Sequence, residues 1–319
     1  MTNAVVTIEP AEIINMPSPS IESLVDEWAN FVDVKENTLQ TYCRCLKNFV
    51  VWTRDNQIST INRQSCISYR DNLLKTLSPS TARLYIAALR LFVKFLAGKG
   101  LCENFLDNFK GVKLLNDTYS RAALDVDECK EVLANMTGVN EKSLRDKCIV
   151  SLMLATGVRC CEVCRLNYGD IQRRGKKLFV KVQCKGRTGK EDITLLPQQI
   201  KGLIDSYLAL RGRVADDEPL FSSCSNRNRG QRIKAATLSR IVKKILTSAG
   251  FIGSDYTAHC LRHTFASVAL SEGLRTGNFG IYEISKSLHH RSVLVTERYA
   301  HWQAQFSNPV AYAVANQLF

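Results

Sequence analysis

Apolar residues recur at three- and four-residue spacing through most of the chain, which marks amphipathic helices, and strict alternation replaces that period in only one stretch. IESLVDEWANFV is the first segment with helical spacing. NTLQTYCRCLKNFVVWTRD follows with Asn37 or Thr38 as its N-cap, and SPSTARLYIAALRLFVKFLAGKG has Ser78 or Ser80 placed to cap, Pro79 near the first turn, and Gly98 and Gly100 to stop it. These segments predict a helical domain over residues 20–112 behind a flexible N-terminus, 1–19. KGVKLLNDTYSRA loses the period and mixes polar with basic residues, so 113–121 reads as a linker into a second domain, 122–319. There EKSLRDKCIVSLMLATG is apolar nearly all round, which predicts a buried helix stopped by Gly157.

The alternating stretch is KKLFVKVQCKGRTGKEDITLLP. Leu178, Val180 and Val182 share one face of a strand, Ile193 and Leu195 share a face of the next, and Gly186 and Gly189 mark the hairpin turn, with Lys185, Arg187 and Lys190 at its tip. The remainder is again helical, so the fold class is mainly α with a small antiparallel β-sheet. A length of 319 residues fits about two domains, and a composition of 45% hydrophobic and 23% charged residues fits ordinary globular cores. No apolar run approaches the ~18 residues of a membrane span, and the first residues lack the pattern of an export signal, so a cytoplasmic protein is expected.

Twelve cysteines in such a chain are expected to stay reduced. Cys160, Cys161 and Cys164 lack a second ligand pair at zinc spacing, and Cys160 and Cys164 lie one helical turn apart, which suits packing. Charge changes the picture more. The net charge is +13, yet residues 1–34 hold six acids and no Lys or Arg, which leaves 43 basic against 24 acidic residues in the rest. So basic a body concentrates polyanions, and nucleic acid is the default partner. Arg44, Lys47, Arg83, Arg90 and Lys94, interleaved with Tyr42, Tyr69 and Tyr85, form a candidate DNA-facing surface of the first domain.

The sharpest chemistry lies in HCLRHTFASVAL. Leu261, Phe265, Val268 and Ala269 form the expected buried stripe, His259 and Arg262 share another face, and Thr257 stands at the helix N-terminus, where free N–H groups favour an anion. This motif does not stand alone. TGVRCCEVCRLNYGDI, the lysine-tipped hairpin, HCLRHT and LHHRSVLVTERYAH occur in this order, and together they resemble the tyrosine recombinase, or phage integrase, family, which includes lambda integrase and the Xer recombinases. The resemblance runs from about residue 20 to the end. It implies a helical core-binding domain, a catalytic domain, and a site of Arg159, Lys185 (with Lys190 as the alternative), His259, Arg262, His290 and Tyr299. His289 stands where the family often has glycine, and Glu162 and Asp170 match family positions that orient the arginine or the strand.

Such a set has a chemical rationale of its own. Guanidiniums neutralise charge growing on a phosphodiester, a tyrosine with an ordinary pKa of about 10 needs that field or a base to lose its proton, and a lysine can protonate the departing 5′ oxygen. His259 and His290 would donate hydrogen bonds to the phosphate, and His263 is read as a support for the helix. The chemistry needs no metal or cofactor, because arginines take the place of the divalent cation. The resemblance further implies strand exchange through a Holliday junction by a homo-tetramer on two duplexes, inverted core half-sites in double-stranded DNA, and a DNA-bending accessory protein. No partner membrane is expected, and the location would be the nucleoid. The tail, with Trp302 and Phe306 one turn apart and Val310, Val314 and Leu318 on one stripe, reads as a helix exchanged between protomers. The competing functions are type IB topoisomerase-like relaxation and a non-catalytic DNA-binding accessory role.

Overall fold

Apolar stripes along four helices meet to form the first core. The computed structural model describes residues 14–15, 21–58, 60–113, 122–297, 299, 314–315 and 317, and it divides into two compact units, Met1–Thr118 and Tyr119–Phe319. In the first, β1 (Ile14–Asn15) precedes α1 (Ile21–Phe31) and α2 (Glu36–Asp55), and β2 (Thr60–Ile61) precedes α3 (Arg63–Thr76) and α4 (Pro79–Gly98). The two short strands pair antiparallel, Ile14 opposite Ile61. Trp28, Leu46, Phe49, Ile86, Leu89 and Phe92 are buried at the centre of the helices. The Ser78 hydroxyl accepts the Thr81 N–H with Pro79 in the first turn, so α4 starts as its sequence predicts.

Other details depart from the sequence expectation. Helix α2 begins at Glu36 and its cap is Lys35, whose extended backbone offers its carbonyl to the Thr38 N–H at 2.7 Å, so Asn37 and Thr38 lie inside the first turn. Tyr69 does not face outward. Its ring packs 4.9 Å from Phe49 and its hydroxyl donates to Asn48 Oδ1, because burying the ring outweighs leaving it wet once the hydroxyl has a partner. Arg90 turns back to the Phe109 carbonyl, whereas Arg44, Lys47, Arg83 and Lys94 remain exposed.

In the second unit, α5 (Val126–Ala134), α6 (Glu141–Thr156) and α7 (Cys160–Arg165) lead into β3 (Ile171–Arg174), β4 (Lys177–Val182) and β5 (Asp192–Leu195), followed by α8 (Gln198–Arg211), α9 (Ala235–Ser248), α10 (Ala258–Thr276) and α11 (Ile281–Ser287). Helix α6 is buried along Cys148–Met153 and stops at Gly157, whose φ of +67° is left-handed. A side chain there would also collide with Phe265 and Leu288. The sheet is antiparallel in the order β3-β4-β5. Val180 sits opposite Thr194, and that register turns Thr194 inward and leaves Ile193 and Leu195 58% and 60% exposed on the outer face. Cys164 belongs to the core and Cys160 packs against it.

Helix α10 departs from a simple stripe. Leu261 is buried, but so are Arg262, His263, Thr264 and Ser267, while Phe265, Val268 and Ala269 line a groove with α5, α6 and α8. The helix is enclosed on almost every side, so no single apolar face could mark its interior. No described helix is long and apolar enough to cross a membrane.

Candidate active site

Two helix boundaries build the cationic floor of the site. Arg159 is the N-cap of α7, and the fully buried Glu162 at the third helical position accepts from the Arg159 backbone N–H and from its Nη1, each at 2.8 Å. One carboxylate thus caps the helix and aims the guanidinium. Arg262 is 1% exposed; its Nη1 donates to the Gly157 carbonyl at 2.6 Å and its Nη2 to the Leu288 carbonyl at 2.5 Å. The left-handed stop of α6 therefore also presents a carbonyl that orients the second arginine. Burial, then the charge of Arg159, pushes Arg262 down to about 10, so it remains a cation at neutral pH.

The rings gather above this floor. His259, exposed in the first turn of α10, lies 4.6 Å between ring centroids from buried His263, which lies 5.2 Å from the ring of Tyr299. His290 stands nearly parallel to Tyr299, with 4° between planes and 6.3 Å between centroids. Tyr299 is 4% exposed and packs with Ala266, Leu270, Ile284 and Leu288. Burial, then Arg262, Arg159, His259 and the neighbouring His289, pushes His290 down to about 4, so it is neutral at neutral pH.

The two adjacent histidines part company. His289 adopts the left-handed region at φ +50°, and its Nε2 lies 3.2 Å from the Ile193 carbonyl on β5, so the ring faces the sheet and His290 joins the tyrosine. The hairpin lysines part in the same way. Lys190 Nζ donates to Asp170 Oδ2 at 2.5 Å, and Asp170 also accepts from the Asn167 N–H. Lys185 is exposed in the turn, and its side chain has no hydrogen bond or ion pair among the described residues. On either side of it, Cys184 feels the charges of Glu162 and Arg159, and a side chain on Gly186 would meet Arg291 Nη2 at 3.6 Å. The tip therefore lies against the turn that follows His290.

The structure thus brings Arg159, His259, Arg262, His290 and Tyr299 together, with Lys185 on a loop beside them. One member, Thr296, escaped the sequence reading, and His263, read as a support for the helix, does more than that. His263 packs directly on the Tyr299 ring, and Thr296, fully buried, holds His290. His263 was legible as a polar residue on an enclosed helix; nothing in the sequence tied Thr296 to a ring six residues away.

Residues 122–305, more than half of the chain, match the phage integrase family, and residues 26–100 match the phage integrase N-terminal SAM-like domain. The tyrosine recombinase XerC of Thermodesulfovibrio yellowstonii is 30% identical over 280 residues, 83% of this chain and 85% of the relative. Among solved structures, the XerH site-specific recombinase bound to a palindromic difH substrate in a post-cleavage complex aligns with a TM-score of 0.69 at 21% identity, covering 86% of this chain and 78% of that one. A lambda integrase tetramer bound to a Holliday junction aligns with a TM-score of 0.65 at 16% identity, covering 90% and 79%. These two likenesses are of fold. The chain belongs to the phage integrase family, the tyrosine recombinases, whose members are enzymes that cut and rejoin DNA.

Proposed function

We propose that the chain is a site-specific recombinase that cuts and rejoins DNA through Tyr299. Two histidine rings on one buried tyrosine, beside a pair of arginines close enough to feel each other's charge, carry this reading. Arg159 and Arg262 would hold the nonbridging oxygens, with His259 and His290 donating to the same phosphate. Tyr299 Oη attacks phosphorus, its proton passing to a histidine of the cluster or to water, and a 3′-phosphotyrosyl bond forms. The bond to the 5′ oxygen breaks and that oxygen takes a proton from Lys185, the hairpin lysine that no carboxylate holds among the described residues. A 5′ hydroxyl from another strand then reverses the step and returns the proton. The phosphotyrosyl bond conserves the energy of the cut bond, so no nucleotide cofactor is needed.

Exchange between two duplexes calls for a tetramer on inverted half-sites, acting where the DNA is, at the nucleoid in the cytoplasm, with a DNA-bending accessory protein where the site must be folded. The groove of about 550 Å³ lined by Leu133, Leu154, Leu203, Phe265, Val268 and Phe279 has the size and apolar character to receive the tail of a neighbouring protomer. Trp302, Phe306, Val310 and Leu318 lie outside the described residues; Val314 is helical and 50% exposed. Most of the expected linker, 114–121, lies outside them as well, and the division between the units falls within it.

The test is covalent trapping in EDTA on nicked DNA carrying sequence from the flanks of the protein's own gene. The expected result is a denaturation-resistant adduct on the 3′ phosphate that Tyr299→Phe abolishes. Relaxation of supercoils without strand exchange would instead mark a topoisomerase-like enzyme, and retarded DNA with no adduct would mark a binding protein.

A further inference from the structure

We propose that Thr296 is a positioning residue for the reaction: its hydroxyl donates to His290 Nδ1 and so keeps the imidazole proton on Nε2. The inference rests on the reading of His290 as a donor to the phosphate.

The geometry is local and closed. After His290 the chain turns through Arg291–Val293 into a helical turn at 294–297, where the Thr296 N–H donates to the Val293 carbonyl at 2.7 Å. This turn brings Thr296 Oγ1 to 2.8 Å from His290 Nδ1. Thr296 is 0% exposed, and its hydroxyl has no other hydrogen-bond partner among the described residues. A buried hydroxyl with one partner must spend its proton there. If Nδ1 carried the proton instead, the threonine proton would be left without an acceptor in a dry place. Threonine is branched at Cβ, so few rotamers are open to it and the hydroxyl stays aimed.

The tautomer matters because the ring is neutral. Enclosed beside Arg262 and Arg159, His290 carries one proton at neutral pH, and only the nitrogen that holds it can donate. Nε2 has no hydrogen-bond partner among the described residues, so it is the nitrogen left to meet a substrate oxygen. A threonine that fixes Nε2–H makes a neutral imidazole into a donor before DNA arrives.

The experiment uses the full chain labelled with nitrogen-15 at its five histidines. Two-bond proton–nitrogen spectra report the tautomer, and His290→Gln assigns the signal. The parent is expected to show Nε2–H. Thr296→Val, matched in shape but lacking the donor, should populate Nδ1–H and slow adduct formation by about tenfold or more, and Thr296→Ser should restore the tautomer and most of the rate. Circular dichroism melts check that each variant is folded. An Nδ1–H signal in the parent, or a spectrum unchanged in Thr296→Val, overturns the inference. If Thr296→Val shifts the tautomer without slowing cleavage while His290→Gln is slow, the inference falls and the reading of His290 stands. If His290→Gln cleaves as the parent does, that reading falls, and the role of Thr296 in the reaction falls with it.

Discussion

Each unit gathers arginines around an aromatic ring, with opposite results. In the first, the guanidiniums of Arg63, Arg70 and Arg90 lie 5.6–5.7 Å from the centre of the Phe109 ring. Their N–H groups go to the carbonyls of Phe105, Asp107, Phe109 and Lys110, so the cluster serves as a clasp on the segment after α4. In the second, Arg262 lies within electrostatic reach of both Tyr299 and Arg159, and each arginine is anchored on one side, by Glu162 or by two carbonyls. Histidines occupy the remaining sides; burial and then Arg159 lower Arg262, and burial with both arginines lowers His290. Arginine clustering alone does not distinguish structure from chemistry. What distinguishes them is whether other titratable groups converge on the same ring: backbone carbonyls take up the N–H groups of the first cluster, whereas the second gathers histidines and a tyrosine whose protonation its cations bias.

The largest effects are expected at Arg262. Arg262→Ala strips two buried carbonyls of their donor and is expected to cost about 3 kcal/mol in urea unfolding. The same change should lower adduct formation at least about 10³-fold, and Arg262→Lys should recover stability better than rate, since an ammonium cannot span two carbonyls and a phosphate as a planar fork does. Glu162→Gln keeps the volume but removes the buried charge that aims Arg159. The expected loss is about 2 kcal/mol and about 10² in rate, read from the same two assays.

The first unit sharpens the contrast. Phe109→Leu takes away the ring that three guanidiniums share and should cost about 1–2 kcal/mol, with the rate of adduct formation from saturated complexes unchanged. Acid separates the clusters further. The folded-state pKa of His290 lies below its unfolded value of about 6.5, so the unfolded chain binds the proton first and stability falls as pH drops from about 6.5 toward about 4. A DNA phosphate opposes the two arginines and should raise that pKa. Melting temperatures at pH 7 and pH 5, with and without a DNA duplex, should show this acid loss shrinking in the complex and in His290→Gln. The smallest effect is expected at His289: His289→Gly relieves the positive φ but gives up the contact with Ile193, for a net change within about 1 kcal/mol in urea unfolding.

Much of the site was legible before any fold was known. Arg159, His259, Arg262, His290 and Tyr299 were implied by the family resemblance that the order of the motifs carries, and the structure brings them together. The mainly α architecture with a small antiparallel sheet followed from hydrophobic period. The pattern failed where burial is not one-sided. Tyr69 went into the core, Phe265 went to a groove, and Ile193 and Leu195 ended on the open face of the sheet, since alternation marks two faces without saying which is inner.

Sequence alone was enough for the main elements, the basic charge and, through the family resemblance, the candidate site residues, because helical period, capping residues and motif order are local properties of the chain. Tertiary structure alone decided where each of the paired candidates lies. His289 turned to the sheet and His290 to the tyrosine, Asp170 took Lys190 and left Lys185 exposed, and Thr296 closed on Nδ1. Those choices depend on hydrogen bonds between residues brought together by folding, and a hydrogen bond is decided within a few tenths of an ångström, far finer than any spacing along the chain can specify.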